Sequence, residues 1–195
     1  KEQIMSQKEY LYEGKNCPVF SDGELEYTAV HRKIAEKLPL YDAIVVHGAA
    51  ISVGGKAYLF QAKSGTGKTT HARLWLKNVE GSEIVNGDKP IIRIIDGIPV
   101  VFGSPWNGKE NYGKNTSCPL SSVCFVNRGE ENSIGKISFG DAMSAFIGHT
   151  HRPENPAAMI RTINIIDKIG KSVGFYELHC NMEDEAARVS YDAMK

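Results

Sequence analysis

The sequence predicts a mixed α/β fold: a partly antiparallel sheet with flanking helices and a phosphate-binding loop (P-loop). Two turn pairs, Gly54-Gly55 and Asp96-Gly97, separate short runs of β-forming residues, a pattern typical of tight β-hairpins. A single strand-loop-helix unit, YLFQAKSGTGKTTHARLW at 58–75, lies between them. Because strands and helices do not alternate strictly along the chain, a doubly wound parallel sheet is not expected.

The composition predicts one domain over residues 1–195. The 23 Lys and Arg residues balance the 23 Asp and Glu residues, so no global charge favours nucleic acid or an anionic membrane. No apolar run approaches the roughly 18 residues of a membrane-spanning helix, and the first residues, KEQIMSQKEY, lack the apolar core of a signal peptide. We therefore expect a cytoplasmic protein that binds neither nucleic acid nor membrane.

The cysteines carry no sign of a metal site. Cys17, Cys118, Cys124 and Cys180 show no C-x-x-C spacing, and three of them lie in apolar or strand-like stretches. Buried free thiols are expected rather than disulfides or zinc ligands.

The first half of the chain predicts a helix followed by a hairpin. In YTAVHRKIAEKLPL, apolar residues recur at helical spacing, and the helix stops before Pro39. The apolar segments AIVVHGAAISV and KAYLFQA form the two arms of a hairpin that turns at Gly54-Gly55. The second arm leads into the loop and a helix at about residues 69–78.

The second half predicts more strands and three helices. SEIVNGDKPIIRIIDGIPVVFGSPW contains three short strands, two of them joined by the Asp96-Gly97 turn. Further elements are predicted as a strand at 121–126, helices at 141–147 and 156–169, a strand in SVGFYELHC at 172–180 and a helix at 183–194.

The loop AKSGTGKT has the groups that a phosphate-binding loop requires. Gly65 and Gly67 permit unusual backbone angles and close approach of an anion, Lys68 supplies a cation, and Thr69 supplies a hydroxyl for Mg²⁺ at the start of a helix. The candidate nucleotide-binding residues are Ser64, Gly65, Thr66, Gly67, Lys68, Thr69 and Thr70. Ala62 stands where the motif has glycine. The alternative is a strand-turn-helix junction whose glycines only make a turn.

Asp88 is the best candidate for a metal-binding carboxylate beside Thr69. Mg²⁺ in such sites uses a carboxylate at the end of a neighbouring strand. SEIVNGDKP places Asp88 just after a short apolar strand. The alternative is a turn aspartate beside Asn86-Gly87.

Four segments together resemble the HPr kinase/phosphorylase-like (serine kinase) family, whose nucleotide-binding core is shared with phosphoenolpyruvate carboxykinases. They are VVHGAAI, AKSGTGKTT, IVNGDKPII and GSPWNGKE…NTSCPLSSVCFVNRG, within residues 44–129. The tail FYELHCNMEDEAARVSYDAM also resembles the ends of small members of that family. The resemblance implies a kinase-like nucleotide-binding domain that uses ATP and Mg²⁺.

The resemblance also assigns roles to single residues. It implies that Lys68 and Thr69 bind phosphates and metal, and that His47, on the strand before the loop, lies near the reacting phosphate. The family usually has two consecutive aspartates after the next strand, whereas this chain has Gly87 followed by Asp88. The general base is therefore open among Asp88, His47 and Glu110.

The polar stretch GSPWNGKENYGKN has the composition of a loop that closes over a substrate. Lys109 and Glu110 are its substrate-binding candidates, and a solvated loop with a packing tryptophan is the alternative. Arg128, His149, His151 and Arg152 are further cations, each better explained as a surface or capping residue.

The expected function is an ATP-dependent kinase that phosphorylates a hydroxyl, on a serine of a peptide or small protein or on a serine-like metabolite. The alternative is a non-catalytic nucleotide-binding or regulatory module of the same fold. We expect no extra N-terminal domain of the family in a chain of this length, and no stretch matches the family's second glycine-rich signature, so HPr itself is not the expected acceptor. Decarboxylation is not expected either, and the sequence leaves homo-oligomer formation open.

Overall fold

The computed structural model describes residues 6–16, 19–63 and 65–195. Within these residues the α-helices are α1 Gln7–Asn16, α2 Asp22–Lys37, α3 Lys68–Asn78, α4 Phe139–Gly148, α5 Pro156–Ser172 and α6 Glu185–Met194. The strands are β1 Ala43–Val45, β2 Ala49–Val53, β3 Lys56–Gln61, β4 Glu83–Asn86, β5 Ile91–Ile95, β6 Ile98–Phe102, β7 Ser117–Arg128, β8 Ser133–Ile137 and β9 Gly174–Cys180. A short 3₁₀ helix at Leu38–Tyr41 follows α2.

The described strands form one mixed sheet. Its main order is β1-β5-β6-β7-β3-β2-β4, and β9 pairs with both β7 and β8. The long strand β7 joins the two parts, because β6 pairs antiparallel with its start while β3 and β9 run parallel to it. The prediction of a mixed, partly antiparallel sheet with flanking helices is confirmed.

Both predicted hairpins are present, with turn geometry that explains their residues. Gly54 and Gly55 have φ of 56° and 78°, and Asp96 and Gly97 have φ of 50° and 81°. Positive φ at both central residues gives a turn whose twist matches that of the flanking strands. The turns therefore set the pairing of β2 with β3 and of β5 with β6.

The predicted first arm of the hairpin, 43–53, is wrong as a single strand. The structure divides it into β1, which pairs with β5, and β2, which pairs with β3 and β4. At the break, the N–H of Gly48 donates to the carbonyl of Asp88 at 2.8 Å. A Cβ at Gly48 would lie 2.7 Å from Cδ1 of Leu59 and 2.9 Å from the carbonyl oxygen of Phe60, so the chain lies close against β3 there. His47 consequently lies in the connection between β1 and β2 and not on a strand.

The remaining differences concern the ends of elements and two missed elements. Helix α2 begins at Asp22, because Ser21 and Glu24 form a capping box. The prediction started this helix later, since it relied only on the helical spacing of apolar residues. Helix α1 and strand β8 were not predicted. β8 is an exposed or half-exposed strand that pairs with β9, and its half-buried Ile134 and Ile137 pack against the two cores.

Helices cover both faces of the sheet. On one face, α4 and α5 bury Phe146, Ile165 and Ile169 against Leu59 of β3. On the other face, α3 and α6 pack against Phe60 and its neighbours. Since side chains alternate along a strand, successive residues of β3 belong to different cores.

The described cysteines are free thiols, as predicted. Cys124 and Cys180 are buried and Cys118 is half-buried, while Cys17 lies outside the described residues. Burial raises the pKa of all three described thiols. No helix among those described is both long enough and apolar enough to cross a membrane.

A buried histidine links α3 to α6. His71 is only 2% exposed, and its Nε2 lies 3.1 Å from the hydroxyl of Ser190. The indole N–H of Trp75 donates to the same hydroxyl at 2.7 Å. Burial lowers the pKa of His71 to about 4, so this histidine is neutral in the folded protein near pH 7.

This burial predicts a loss of stability in mild acid. A histidine in an unfolded chain has a pKa near 6.5, whereas burial lowers the pKa of folded His71 to about 4. Between these pH values His71 is protonated in the unfolded chain but not in the folded protein. The stabilisation is therefore fully present above pH 6.5 and falls between pH 6.5 and 4, by up to about 1.4 kcal/mol per pH unit. Urea unfolding at several pH values should show a shallower pH dependence for His71→Gln than for the wild type.

The exposed His179 provides the control. His179→Gln makes the same substitution at an exposed position of β9 and shows what the loss of a surface histidine does to the measurement. Equal slopes for His71→Gln and the wild type would contradict the prediction.

Candidate functional site

A cleft of about 540 Å³ lies where the chain between β3 and α3 faces the chain after β4. We call it the loop cleft, and residues 62–67 the glycine loop. The predicted residues that line the cleft are His47, Gly65, Gly67, Lys68, Thr69, Thr70, Asp88, Lys109 and Glu110. Thr66 lines a neighbouring cavity instead, and Ser64 lies outside the described residues. The fold thus brings together candidates from four separate stretches of sequence.

Two glycines of the glycine loop have backbone angles that favour glycine. Gly65 and Gly67 have φ of 77° and 121°, values that other residues rarely adopt. Ala62 has no such requirement, because positive φ among the described non-glycine residues is confined to Asp42, Asp96 and Asn111. The missing motif glycine therefore carries no backbone strain here.

Helix α3 begins at Lys68, directly after Gly67. The first N–H groups of a helix lack intrahelical acceptors, and the helix dipole favours a negative charge beside them. Lys68, Thr69 and Thr70 all line the cleft, so this helix start faces the cavity. The N–H of Thr66 donates within the loop, to the carbonyl of Lys63 at 3.1 Å, and is already engaged.

Three ionisable side chains meet in the cleft. Lys68 Nζ lies 2.8 Å from His47 Nε2 and 3.6 Å from Asp88 Oδ1. His47 Nε2 lies 3.2 Å from the same Asp88 oxygen. The Lys68 side chain is 12% exposed, against 38% for His47 and 28% for Asp88, so the ammonium is the most enclosed of the three.

A single nitrogen of His47 cannot satisfy both neighbours at once. With a lone pair on Nε2, the imidazole accepts from the Lys68 ammonium. With a proton on Nε2, it donates to the Asp88 carboxylate instead. The position of one proton therefore decides which contact is a hydrogen bond, and the three groups form a short path for proton transfer.

The charges in the cleft shift the pKa values of its members. Burial lowers the pKa of Lys68, partly offset by the nearby Asp88 carboxylate. Burial acts to raise the pKa of Asp88, but the hydrogen bond from His47 and the charge of Lys68 outweigh it and lower the pKa. Asp88 is therefore a carboxylate at neutral pH.

Asn86, which the sequence reasoning treated only as part of a turn, fixes the position of Asp88. Its side chain is fully buried, and its Oδ1 accepts from the N–H groups of Asp88 at 2.9 Å and Lys89 at 2.7 Å. Its Nδ2 donates to the carbonyl and the hydroxyl of Ser104 at 3.0 and 3.1 Å. The sequence offered one signal for this role of Asn86: it has a side-chain amide and stands at the end of a predicted strand, two residues before a candidate carboxylate.

Gly87 is closely packed. A Cβ there would lie 3.1 Å from the carbonyl oxygen of Asn107 and 3.1 Å from Cβ of Tyr112. The N–H of Gly87 also donates to the carbonyl of Tyr112 at 2.7 Å. The space in which a second aspartate would begin is thus filled by the segment at 107–112.

Arg128 supports the glycine loop from outside. Its guanidinium donates to the carbonyl of Gly65 at 2.6 Å and to that of Thr66 at 3.3 Å. The sequence gave this arginine a surface or capping role, and these contacts amount to a cap on the loop. Nothing in the local sequence could show that the end of β7 reaches the loop.

The remaining candidates differ in their placement. Glu110 pairs with Arg73 of α3 at 2.6 Å, which ties the segment at 107–112 to the helix after the glycine loop. His149 is adjacent to His47, with ring centres 5.8 Å apart, and burial lowers its pKa. His151 pairs instead with Glu36 of α2.

Trp106 is a packing tryptophan, as the alternative interpretation of the stretch GSPWNGKENYGKN proposed. It is buried, and its ring lies 4.9 Å from that of His31 on α2. The residues just after it, Asn107 to Glu110, nevertheless line the loop cleft. The stretch is therefore anchored at Trp106 and faces the cleft beyond it.

Comparison with known proteins gives little beyond this geometry. No protein-family model matches the sequence, and no curated protein matches it. Among solved structures, the chain is similar to the HPr(Ser) kinase/phosphatase from Coxiella burnetii. The TM-score is 0.44 at 7% sequence identity, over 76% of this chain and 95% of that chain. A likeness at this level shows neither the family nor the activity of this chain.

The packing around Gly87 predicts that a larger residue cannot be introduced there without loss of stability. Gly87→Ala should lower the free energy of unfolding by about 1–3 kcal/mol, the usual effect of overpacking. Gly87→Asp should lower it at least as much, because its larger side chain starts from the same crowded Cβ. Thermal unfolding measures both effects.

Gly135 on β8 is the matched control. A Cβ there meets nothing within 4 Å, and its φ is not positive, so Gly135→Ala should leave the melting temperature within about one degree. A Gly87→Asp protein with wild-type stability would show that the segment at 107–112 yields easily.

Proposed function

We propose that this protein is an ATP-dependent kinase that, with Mg²⁺, transfers the γ-phosphoryl group to a hydroxyl. The observation that carries the proposal is the meeting of Lys68, His47 and Asp88 beside a glycine loop and a helix start. Cation, anion-binding backbone and carboxylate are the groups that phosphoryl transfer needs, because catalysis there consists mainly of positioning and charge stabilisation.

The cleft suits a triphosphate in size and charge. Its volume of about 540 Å³ lies within the roughly 300–1,000 Å³ of small-molecule sites. Lys68 brings an enclosed ammonium to it, and the start of α3 adds the favourable end of the helix dipole. A bound phosphate would stabilise the protonated form of Lys68, whose pKa burial otherwise lowers.

The residues present also fit Mg²⁺. This ion prefers oxygen ligands, commonly one or two protein groups together with phosphate oxygens and water. The hydroxyl of Thr69 and the carboxylate of Asp88 both line the cleft and would hold it. The ion would supply positive charge that offsets the charge of the transferring group.

The chain's own residues account for the proton. As the acceptor oxygen bonds to the γ-phosphorus and the bond from phosphorus to the bridging oxygen of ADP breaks, the hydroxyl proton must leave. Asp88 Oδ1 and the lone pair of His47 Nε2 are the bases among the three ionisable side chains that meet in the loop cleft. Glu110 is less suitable, since its carboxylate is held by Arg73.

A second candidate function is a nucleotide-binding module without phosphoryl transfer. Gly87 favours it, because Asp88 must hold metal and accept a proton where two aspartates commonly share these tasks. Transfer of ³²P from ATP to an acceptor separates the two candidates. A protein that binds ATP·Mg²⁺ but labels no acceptor, and whose ATP turnover no acceptor raises, would be the module.

Removing the lysine should weaken nucleotide binding. Lys68→Ala loses charge-assisted hydrogen bonds, each worth about 1.5–3 kcal/mol, so the dissociation constant for ATP should rise at least about tenfold. Calorimetric titration measures this. Lys77→Ala, on the exposed last turn of the same helix, should bind ATP as the wild type does. Unchanged affinity in Lys68→Ala would remove the glycine loop as the phosphate site.

Replacing the histidine should affect chemistry more than binding. His47→Gln keeps a polar side chain but loses the basic nitrogen, so turnover should fall at least about tenfold while ATP affinity stays near wild type. Steady-state transfer assays with a competent acceptor, from pH 6 to 8, measure the effect, with His179→Gln as the control. Unaltered turnover in a folded His47→Gln protein would leave Asp88 as the base.

A further inference from the structure

A second cavity lies beside the glycine loop, on the face of the sheet that α3 and α6 cover. It measures about 420 Å³, and its walls come from the ends of β7 and β9, the glycine loop and the start of α3. We call it the strand-end cavity. Strands β3, β7 and β9 are parallel neighbours, so their carboxyl ends meet at one edge of the sheet. Ligands of open α/β sheets bind outside that edge.

The strand-end cavity and the loop cleft share part of their walls. Gly65, Gly67 and Thr70 line both spaces. A Cβ built on either glycine would meet nothing within 4 Å, so the described residues leave the loop surface open there. Thr70 follows Lys68 by two residues, within one turn of α3. A phosphate chain bound at the helix start therefore lies beside both cavities.

The far wall of the strand-end cavity is apolar. Val126 of β7 and Cys180 of β9 are nearly buried, whereas Met182, just after β9, is 78% exposed. A thioether side chain is flexible and polarizable, so it packs against flat rings. A ring that enters the cavity would cover apolar surface of Met182, and burial of such surface is favourable.

The polar side chains of the lining already have contacts within the protein. His71 is buried against the hydroxyl of α6 described above. Nδ2 of Asn181 donates to the carbonyl of Glu130 at 3.1 Å, and its Oδ1 accepts from the N–H of Glu183 at 3.0 Å. Arg128 donates to the loop carbonyls, and its remaining N–H groups suit a phosphate or a sugar oxygen.

The other polar groups of the lining do not distinguish one base from another. The N–H groups of Gly129 and Asn181 donate within the protein, at 3.0 and 3.1 Å. The hydroxyls of Thr66 and Thr70 can both donate and accept, so they suit either kind of group on a ligand. The cavity thus offers an apolar wall and little that selects a particular hydrogen-bonding edge.

We infer that the strand-end cavity holds the base of the nucleotide, and that it does so by apolar contact rather than by hydrogen bonds to the edge of the base. The phosphates lie at the start of α3, and the base lies beyond Thr70 against Met182. Adenine and guanine differ in the polar groups on their edges, so both ATP and GTP are ligands. This inference rests on the nucleotide binding of the proposed function and names the chemical class that the site accepts.

Calorimetric titration of ATP, GTP and ribose 5-triphosphate, each with Mg²⁺, tests the contact with the base. Ribose 5-triphosphate has the phosphate chain and the sugar but no base. Because burial of an apolar group of side-chain size is favourable, ATP and GTP should each bind at least about tenfold more tightly than ribose 5-triphosphate. The dissociation constants of ATP and GTP should differ by less than about a hundredfold, because a pocket without built hydrogen bonds discriminates weakly.

Replacing the exposed methionine tests the location. Met182→Ala removes part of the apolar wall, so the dissociation constants of ATP and GTP should rise about two- to fivefold. The affinity for ribose 5-triphosphate should not change. Met143→Ala, at an exposed position of α4, is the matched control and should leave all three affinities unchanged.

Photolabelling locates the base directly. 8-Azidoadenosine triphosphate carries its reactive group on the base, so irradiation should attach it to residues 126–129 or 180–182. An excess of ATP should prevent this labelling. Peptide mapping by mass spectrometry identifies the labelled residues.

The outcomes are distinguishable. Equal affinity for ribose 5-triphosphate and ATP, unchanged ATP affinity in Met182→Ala, or a label confined to residues 107–112 would overturn the inference while nucleotide binding still stood. A preference of more than about a hundredfold for ATP or for GTP would show that hydrogen bonds select the base, and would also overturn it. Failure of the wild-type protein to bind either nucleotide would remove both the inference and the proposed function.

Discussion

The hydrogen bonds of Asn86 are the constraint on which the site depends. This amide is buried and uncharged. Its Oδ1 accepts from the N–H groups of Asp88 and Lys89, and its Nδ2 donates to the carbonyl of Ser104. Ser104 in turn donates to the carbonyl of Lys89 at 2.6 Å. A buried amide that loses its hydrogen-bond partners is costly in free energy, so this network favours a single arrangement. The carboxylate of Asp88 is therefore placed by the core and not by its own flexible turn.

The same turn explains why the chain has one carboxylate at this point. The segment at 107–112 lies against Gly87. Gly108 of that segment is also close to Asp88, because a Cβ built on Gly108 would lie 3.1 Å from Cβ of Asp88. An aspartate at 87 would have to displace Asn107 and Tyr112 by a few tenths of an ångström. The imidazole of His47 is in contact with both Lys68 and Asp88. The close packing at Gly87 and the placement of His47 beside Asp88 thus belong to one arrangement.

What the sequence could predict depends on how local each feature is. The two hairpin turns and the helix after the glycine loop are set by residues within a few positions, and these elements were predicted correctly. The division of 43–53 into two strands depends on contacts of Gly48 with Asp88 and with the end of β3, which are distant in sequence, and it was missed. The same reason applies to Arg128, whose loop contacts span more than sixty residues of chain. Asn86 has a local signal, but only the buried Ser104 opposite gives it a role.

The geometry of β3 places a buried amide beside the loop cleft through a simple periodicity. Side chains alternate along a strand, so Leu59 and Gln61 face the α4 and α5 side, whereas Phe60 faces α3 and α6. The strand therefore ends with a buried amide on one face of the sheet, shortly before the glycine loop. Because Gln61 donates to the carbonyl of His47 at 3.3 Å, the end of β3 holds the backbone of the histidine that lies beside Lys68. The position of that histidine is therefore set by the sheet as well as by its own connection between β1 and β2.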